Sequence, residues 1–246
     1  MPVSRFPDFR ASCFPLFLRL LVGVVLACVA GLGVRAAEPA KAKATRTVYL
    51  VRHGNYEESA ETKDGGALTP LGLAQARLVA ARLAGMPVQF TALYASTLTR
   101  ARQTAEVIHA SLPNLPVQPT DVLRECTPPS SRPTGSGHED PAKQAAAEKQ
   151  LSEAYAKFFV PATGDRDEHD LLVCHGNVIR WLTCRALGVD TKAWLAMSVA
   201  HCSITVIQIR ADGTTKIFAI GDIGHVPPNL QSGAVAGPAP ALVPPR

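Results

Sequence analysis

Short apolar runs alternate with longer segments of mixed polarity through the middle of the chain. Each run has the length of a strand, and several end abruptly at a polar residue. Six runs predict strands: 47–51, 90–94, 117–120, 171–174, 203–209 and 216–220. Asp212 and Gly213 predict a hairpin turn between the last two.

Four segments between these runs predict helices. Thr69 is suited to cap the first helix and Pro70 to occupy its first turn, and the apolar pattern continues to about residue 84. The others are predicted over 99–110, 142–159 and 177–187. Strands that alternate with helices in this way indicate an α/β fold with a mostly parallel sheet.

The first 37 residues resemble an export signal, with a basic start, an apolar stretch over 20–34 and small residues at Ala36 and Ala37. An uncleaved membrane anchor and a lipid anchor at Cys28 are the two alternatives. All three place the catalytic domain outside the cytosol, so we expect an exported protein, periplasmic or membrane-anchored. We expect a linker over 38–45, a catalytic domain over 46–225 and a flexible Pro/Ala-rich tail over 226–246.

The formal net charge of +5 suggests a polyanionic partner until the charges are located. Four of the 25 basic residues and one of the 20 acidic residues lie before Glu38, so the remaining chain carries 21 against 19, or +2. A nucleic-acid partner therefore has little support, and a membrane would be contacted only through the N-terminal segment.

Four cysteines lie in the expected domain: Cys126, Cys174, Cys184 and Cys202. They allow three disulfide connectivities, and the sequence does not decide whether any forms. No pair has C-x-x-C spacing. Cys174–His175 and His201–Cys202 could each offer only one convenient ligand, because neighbours on an extended chain point to opposite faces. We therefore expect no metal and no cofactor.

Polar side chains that could bind phosphate follow three of the predicted strands. Arg52 and His53 come directly after the first, and His175 directly after the strand over 171–174. Arg100 begins the helix that follows the strand over 90–94, where backbone amides also favour an anion. Ligands collect beyond the carboxyl ends of strands in open α/β sheets, and guanidinium groups match phosphate oxygens in pairs. The pattern indicates a phosphate site.

These residues also belong to motifs that resemble those of the histidine phosphatase superfamily. The motifs occur in the family's order over residues 47–221, and the carboxyl part resembles the family's mitochondrial serine/threonine protein phosphatases. They are Arg52-His53-Gly54-Asn55, Leu68-Thr69-Pro70-Leu71-Gly72 with Gln75-Ala76, Ser96 with Arg100-Ala101 and Gln103-Thr104-Ala105, Leu123-Arg124-Glu125, and His175-Gly176. The resemblance implies a three-layer α/β/α sandwich, phosphoglycerate mutase-like. No assembly motif is seen before Thr45, and a bacterial exported relative is the expected source.

The resemblance also implies roles for these side chains. His53 would be the nucleophile that carries the phosphoryl group, and Glu125 would protonate the leaving alkoxide and later accept a proton from water. Arg52, Arg100 and His175 would bind and neutralise the phosphoryl oxygens. Asn55 and Gly176 would add contacts to the substrate. Ser96 would support the residues that touch the substrate without touching it itself.

The expected reaction is therefore phosphomonoester hydrolysis through a phosphohistidine. A phosphotransferase of the cofactor-dependent mutase type and a phosphate-binding scaffold without turnover are the alternatives. The polar loop over 127–141 is expected to form the rim for the phosphorylated substrate, either a phosphopeptide or a small phosphomonoester. The sequence makes no prediction of the oligomeric state.

Overall fold

A six-stranded sheet forms the centre of the molecule, in a computed structural model that describes residues 43–57, 64–133 and 140–234. Its strands are β1 (Arg46–Arg52), β2 (Ala92–Ser96), β3 (Val117–Thr120), β4 (Glu168–Cys174), β5 (Ile204–Ile209) and β6 (Thr215–Asp222). Their order is β3-β2-β4-β1-β5-β6. Strands β1 to β4 are parallel to one another. Strand β5 pairs antiparallel with β1, and β6 pairs antiparallel with β5.

Among the described residues, four helices cover the sheet: α1 (Pro70–Ala84), α2 (Thr99–Ser111), α3 (Pro141–Phe158) and α4 (Gly176–Leu187). The same part of the chain has three short 3₁₀ turns, at Asp121–Leu123, Thr191–Ala196 and Pro228–Leu230. The hydroxyl of Thr69 accepts a hydrogen bond from the Gly72 amide and so caps α1, as predicted.

Both faces of β1 are buried. Its successive side chains point to opposite sides of the sheet and so enter two different cores. Val48 and Leu50 lie in one core with residues of α3 and α4, while Tyr49 and Val51 lie in the other with residues of α1 and α2. The helices thus form a layer on each face, which confirms the predicted three-layer α/β/α arrangement with a mostly parallel sheet.

Most predicted elements differ from the observed ones by one or two residues at their ends. β4 begins three residues before its predicted start, at Glu168. β2, predicted over 90–94, is displaced as a whole by two residues and found at Ala92–Ser96. Its C-terminal end extends because Ser96 still pairs with Thr120 of β3. That extension brings Ser96 to the edge where the predicted site residues lie.

The expected flexible tail from Val226 does not hold for residues 226–234. Val226 is buried, Pro228–Leu230 form a turn, and Ser232 is buried against the carboxyl edge of the sheet. Besides Val226, the segment is held by hydrogen bonds in which the carbonyls of Leu230 and Gly233 and the Ser232 hydroxyl accept from Gln75 and Arg52. Residues 235–246, the predicted signal over 1–37 and residues 134–139 of the predicted rim loop lie outside the described residues.

Two further expectations concerned thiols and the membrane. Cys126, Cys174, Cys184 and Cys202 are all free thiols. Within the described ranges, no helix is both long enough and apolar enough to cross a bilayer.

Candidate active site

The carboxyl ends of β1, β2 and β4 lie side by side and bring two histidines together. Arg52 pairs with Cys174 in the parallel register, and the His53 amide donates to the Cys174 carbonyl at 3.0 Å. His175 follows Cys174 directly. The rings of His53 and His175 consequently lie with their centroids 5.0 Å apart.

His53 is held as a neutral imidazole whose lone pair lies on Nε2. Its ring is 1 % exposed, and Nδ1 lies 2.7 Å from the Gly54 carbonyl, which can only accept. Nδ1 therefore carries the hydrogen, and Nε2 accepts from Arg100 Nε at 3.2 Å. Burial, with the nearby His175 and Arg52, lowers the pKa of His53 well below its usual value. This is the protonation state that a nucleophile requires.

Two guanidinium groups flank this ring. Arg100 is buried at the start of α2 and lies over the Tyr56 ring, with 4.4 Å between Cζ and the ring centroid. Arg52 is held by two carbonyls, since its Nη1 donates to Val199 at 2.7 Å and to Gly233 at 2.9 Å. Arg52 Nε is buried and has no hydrogen-bond partner among the described residues. The positive charge favours an anion at His53.

His175 is aligned by Ser96. The Leu98 amide donates to Ser96 Oγ at 3.3 Å, and Ser96 Oγ lies 2.7 Å from His175 Nε2. The Ser96 hydroxyl hydrogen has no other acceptor among the described residues, so its donation to Nε2 assigns the ring hydrogen of His175 to Nδ1. Nδ1 is buried without a partner in the described part of the chain. Burial first, then Arg100 and Arg52, lowers the pKa of His175.

Glu125 supplies the carboxyl group. Its Oε1 is buried and unpaired within the described ranges, and the carboxyl accepts the Cys126 amide. Burial raises the pKa of Glu125, and Arg52, Arg100 and Arg180 oppose this shift without reversing it. A carboxyl with a raised pKa retains its proton closer to neutral pH and can therefore donate it.

The two remaining predicted residues border this group. Asn55 Oδ1 accepts from the Thr69 hydroxyl at 2.7 Å, so the Nδ2 side of the amide is the one able to donate to a substrate. The loop that carries Asn55 is in close contact with α1, since a Cβ on Gly72 would be 1.9 Å from the Asn55 carbonyl oxygen. Gly176 begins α4 beside Arg52, where a Cβ would be 3.5 Å from the guanidinium carbon. The first amides of α4 thus add to the anion-binding edge.

Several buried polar atoms at this edge have no partner within the described ranges: Arg52 Nε, Glu125 Oε1, His175 Nδ1 and His201 Nε2. Unpaired buried polar groups cost free energy, and each such group in a folded protein needs an explanation. A tetrahedral oxyanion would satisfy the donors among them, while the protonated carboxyl could reach a leaving oxygen. The arrangement is therefore suited to phosphoryl transfer.

Three features of the site were not predicted. His201 was considered only as a metal ligand, yet its ring centroid lies 5.3 Å from that of His53. Arg180 contributes positive charge near Glu125. The segment 228–233 borders the site beside Arg52, which donates to the Gly233 carbonyl. His201 lies in no recognised motif, and of the segment only Pro228 matched the resemblance, without a stated role. Arg180 lay in a segment that matched the resemblance without a stated role.

Comparison with known proteins agrees with this geometry. The sequence profile described as "Histidine phosphatase superfamily (branch 1)" matches residues 48–130 and 162–219. The mitochondrial serine/threonine-protein phosphatase Pgam5 of Caenorhabditis elegans is 41% identical over 202 residues, covering 79% of this chain and 69% of the relative. Its Homo sapiens counterpart is 35% identical over 192 residues, covering 77% and 66%.

Solved structures share the fold. A phosphoglycerate mutase from Plasmodium falciparum has a TM-score of 0.55 and 26% identity, covering 75% of this chain and 96% of that chain. The protein YhfR of Bacillus stearothermophilus has a TM-score of 0.59 and 23% identity, covering 74% and 100%. The second likeness shows the fold alone.

The relatives contradict the predicted location. These curated relatives, at 35–41% identity, are named as mitochondrial proteins, not as periplasmic or exported ones. The expectation of a periplasmic or membrane-anchored protein with its catalytic domain outside the cytosol is therefore wrong. Its physical basis, an apolar stretch after basic residues, does not specify one targeting destination.

Proposed function

The chain belongs to branch 1 of the histidine phosphatase superfamily and is a phosphatase, and from this premise we propose that His53 carries the phosphoryl group during phosphomonoester hydrolysis. The observation that supports this assignment is the hydrogen bonding of His53. Nδ1 faces a carbonyl, and Nε2 accepts from Arg100. The reactive lone pair is thus directed toward a guanidinium that would also bind the phosphoryl oxygens.

In the first step, His53 Nε2 attacks phosphorus and the bond from phosphorus to the ester oxygen breaks. Glu125 gives its proton to the departing alkoxide, while Arg52, Arg100 and His175 stabilise the negative charge on the phosphoryl oxygens. Asn55 Nδ2 and the Gly176 end of α4 add donors to the substrate.

In the second step, water attacks the phosphohistidine. Glu125, now a carboxylate, takes a proton from that water, and the bond between Nε2 and phosphorus breaks. The electron pair returns to Nε2 and inorganic phosphate leaves. Both steps need only the described side chains and water, so we propose metal-independent turnover.

Phosphorylated proteins are the substrates that we propose, because the relatives at 35–41% identity are named serine/threonine-protein phosphatases. Small phosphomonoesters would share the same phosphoryl site and differ only in contacts at the rim. A panel of phosphoserine and phosphothreonine peptides, sugar phosphates and nucleotides would rank them by kcat/KM. Preference for a sugar phosphate over every peptide would overturn the protein-substrate proposal.

His53→Ala tests the central assignment. The variant should lose turnover of p-nitrophenyl phosphate, and acid-labile, alkali-stable phosphate trapped on the wild type should be absent from it. His109→Gln is the matched control, because His109 binds the Leu115 carbonyl away from the site. Substantial activity in folded His53→Ala would refute the nucleophile, and transfer of the trapped phosphate to an alcohol instead of water would favour the mutase alternative.

A further inference from the structure

We propose that His201 is a further phosphoryl-binding residue, whose Nε2 hydrogen is donated to an oxygen of the transferring group, and that Gln75 and Ser232 fix its tautomer. The inference rests on the proposed function and deepens it, because it adds a fifth donor side chain to Arg52, Arg100, His175 and Asn55.

The position of His201 is the first observation. The side chain is 5 % exposed, and its ring lies within 5.3 Å of the His53 ring and 6.3 Å of the Tyr56 ring, measured between centroids. Nε2 is buried and lacks a partner within the described ranges. A buried nitrogen of this kind costs free energy unless a ligand satisfies it.

The charge state of His201 is neutral at ordinary pH. Burial, followed by the charges of Arg52 and Arg100, lowers the pKa of His201 to about 3. A neutral imidazole has one donor nitrogen and one acceptor nitrogen. Only the tautomer with hydrogen on Nε2 could donate to a phosphoryl oxygen, so the partner of Nδ1 decides whether His201 can contribute.

A chain of hydrogen bonds from Gln75 through Ser232 to His201, called the relay below, begins at the side-chain amide of Gln75. Its Oε1 accepts from the Asn55 backbone amide at 2.9 Å, and its Nε2 donates to the Leu230 carbonyl at 2.6 Å. A backbone amide can only donate and a carbonyl can only accept, so the orientation of the Gln75 amide is determined. The same Nε2 must therefore donate to Ser232 Oγ, 2.9 Å away.

Ser232 passes this constraint to His201. Its Oγ already accepts from Gln75 and lies 2.9 Å from His201 Nδ1. The Ser232 hydroxyl hydrogen has no other acceptor among the described residues, so its donation to Nδ1 satisfies both groups and assigns the ring hydrogen of His201 to Nε2. The relay runs from the loop after His53 through α1 to residues 230–232, and it assigns the donor role of His201 to Nε2.

The tautomer can be measured without any turnover. The ¹⁵N chemical shifts of His201 in wild-type protein at pH 7 should show hydrogen on Nε2 and a lone pair on Nδ1. A shift pattern with hydrogen on Nδ1 would overturn the relay. Ser232→Ala should increase the population of the other tautomer, and an unchanged tautomer in that variant would also contradict it.

Binding of inorganic phosphate, followed by calorimetry, tests the donor itself. His201→Phe removes the hydrogen and should weaken phosphate binding roughly 10- to 100-fold, as expected for a hydrogen bond to a charged group. His201→Gln places an amide nitrogen near the Nε2 position and should retain most of the affinity. His109→Phe is the control for loss of a partly buried histidine elsewhere and should bind phosphate as the wild type does.

A double-mutant cycle separates this role from general packing. Ser232→Ala should weaken phosphate binding in the wild type but cause little further loss in His201→Gln, whose donor does not depend on Ser232. Equal losses in both backgrounds, or wild-type affinity in folded His201→Phe, would overturn the proposal. If His201 controls phosphate affinity while no phosphomonoester is turned over, the proposed function fails and the binding role stands.

Discussion

The titratable groups around His53 have pKa values displaced in opposite directions. Burial lowers the pKa of His53 and His175 and raises the pKa of Glu125. The pH range in which the nucleophile is neutral and the range in which the acid is protonated are thereby moved toward each other, whereas the ordinary pKa values of about 6.5 and 4.3 keep them apart. The first chemical step needs both states at once and is favoured by this displacement.

Glu125→Gln should separate the acid from the rest of the site. A general acid contributes ~10²- to 10⁴-fold and matters most for a poor leaving group. We expect kcat to fall far more with a phosphoserine peptide than with p-nitrophenyl phosphate, and the alkaline limb of the pH profile to move or flatten. Steady-state kinetics with both substrates over pH 5–9 measures this.

Glu106→Gln is the control for this prediction, because Glu106 is an exposed carboxylate on α2. This variant should leave kcat unchanged with both substrates. Equal losses with both substrates in Glu125→Gln, together with an unmoved alkaline limb, would remove the proton-donor role and leave Glu125 as part of the pocket wall.

At the scale of elements, the segment from Pro228 to Gly233 is part of the site rather than a tail. Gly233 has a φ of +86°, a conformation that favours glycine. A Cβ there would lie 2.6 Å from His201 Nδ1 and 2.8 Å from Arg52 Nη1. The backbone of this segment therefore touches two of the groups assigned to phosphate binding.

Gly233→Ala should consequently lower kcat/KM and weaken phosphate binding, because the added methyl must displace the segment from Arg52. Gly188→Ala is the matched control, with a φ of +70° and no atom within 4 Å of the added Cβ. Each should destabilise the fold by about 1–2 kcal/mol through its backbone conformation alone. Thermal unfolding and kinetics of both variants measure the difference, and equal activity in the two would exclude contact through Gly233.

The sequence predicted the elements whose stabilising interactions are local and missed those that depend on residues distant in the chain. Residues 48–51 and 171–174 are apolar, and Thr69 and Pro70 specify the cap of α1, so local patterns predicted these parts. The start of β4 at Glu168–Asp170 is polar, and the apolar pattern missed it. The segment after Val226 contributes a carbonyl at Gly233 and a hydroxyl at Ser232, which leave no periodic pattern. His201 escaped prediction for the same reason, because its role depends on long-range partners.

At the scale of the whole molecule, the buried histidines should make stability depend on acid. His53, His175 and His201 have lowered pKa values in the folded state, whereas the unfolded chain takes up protons near pH 6.5. Their contribution is fully present above that pH and is lost as pH falls toward the folded values. Glu125, with its raised pKa, opposes the trend by binding a proton in the folded state.

Each histidine that binds a proton only in the unfolded chain contributes up to about 1.4 kcal/mol per pH unit, and this slope is reached about one unit below pH 6.5. Urea unfolding at intervals between pH 7.5 and 5 should show this slope. His201→Gln should reduce it by about one proton, or about 1.4 kcal/mol per pH unit. A flat profile over this range would show that the histidines are protonated in the folded protein.

The hydrogen bond from Arg52 to the Gly233 carbonyl joins residues 181 positions apart. During synthesis, which proceeds at roughly 5–20 residues per second, Arg52 and His53 emerge long before the segment that holds them. The nascent chain can form its parallel strands first, but the wall around the nucleophile closes only after Ser232 and Gly233 have left the ribosome. The phosphate pocket is therefore completed only after Ser232 and Gly233 have been synthesised, about 180 residues after its nucleophile.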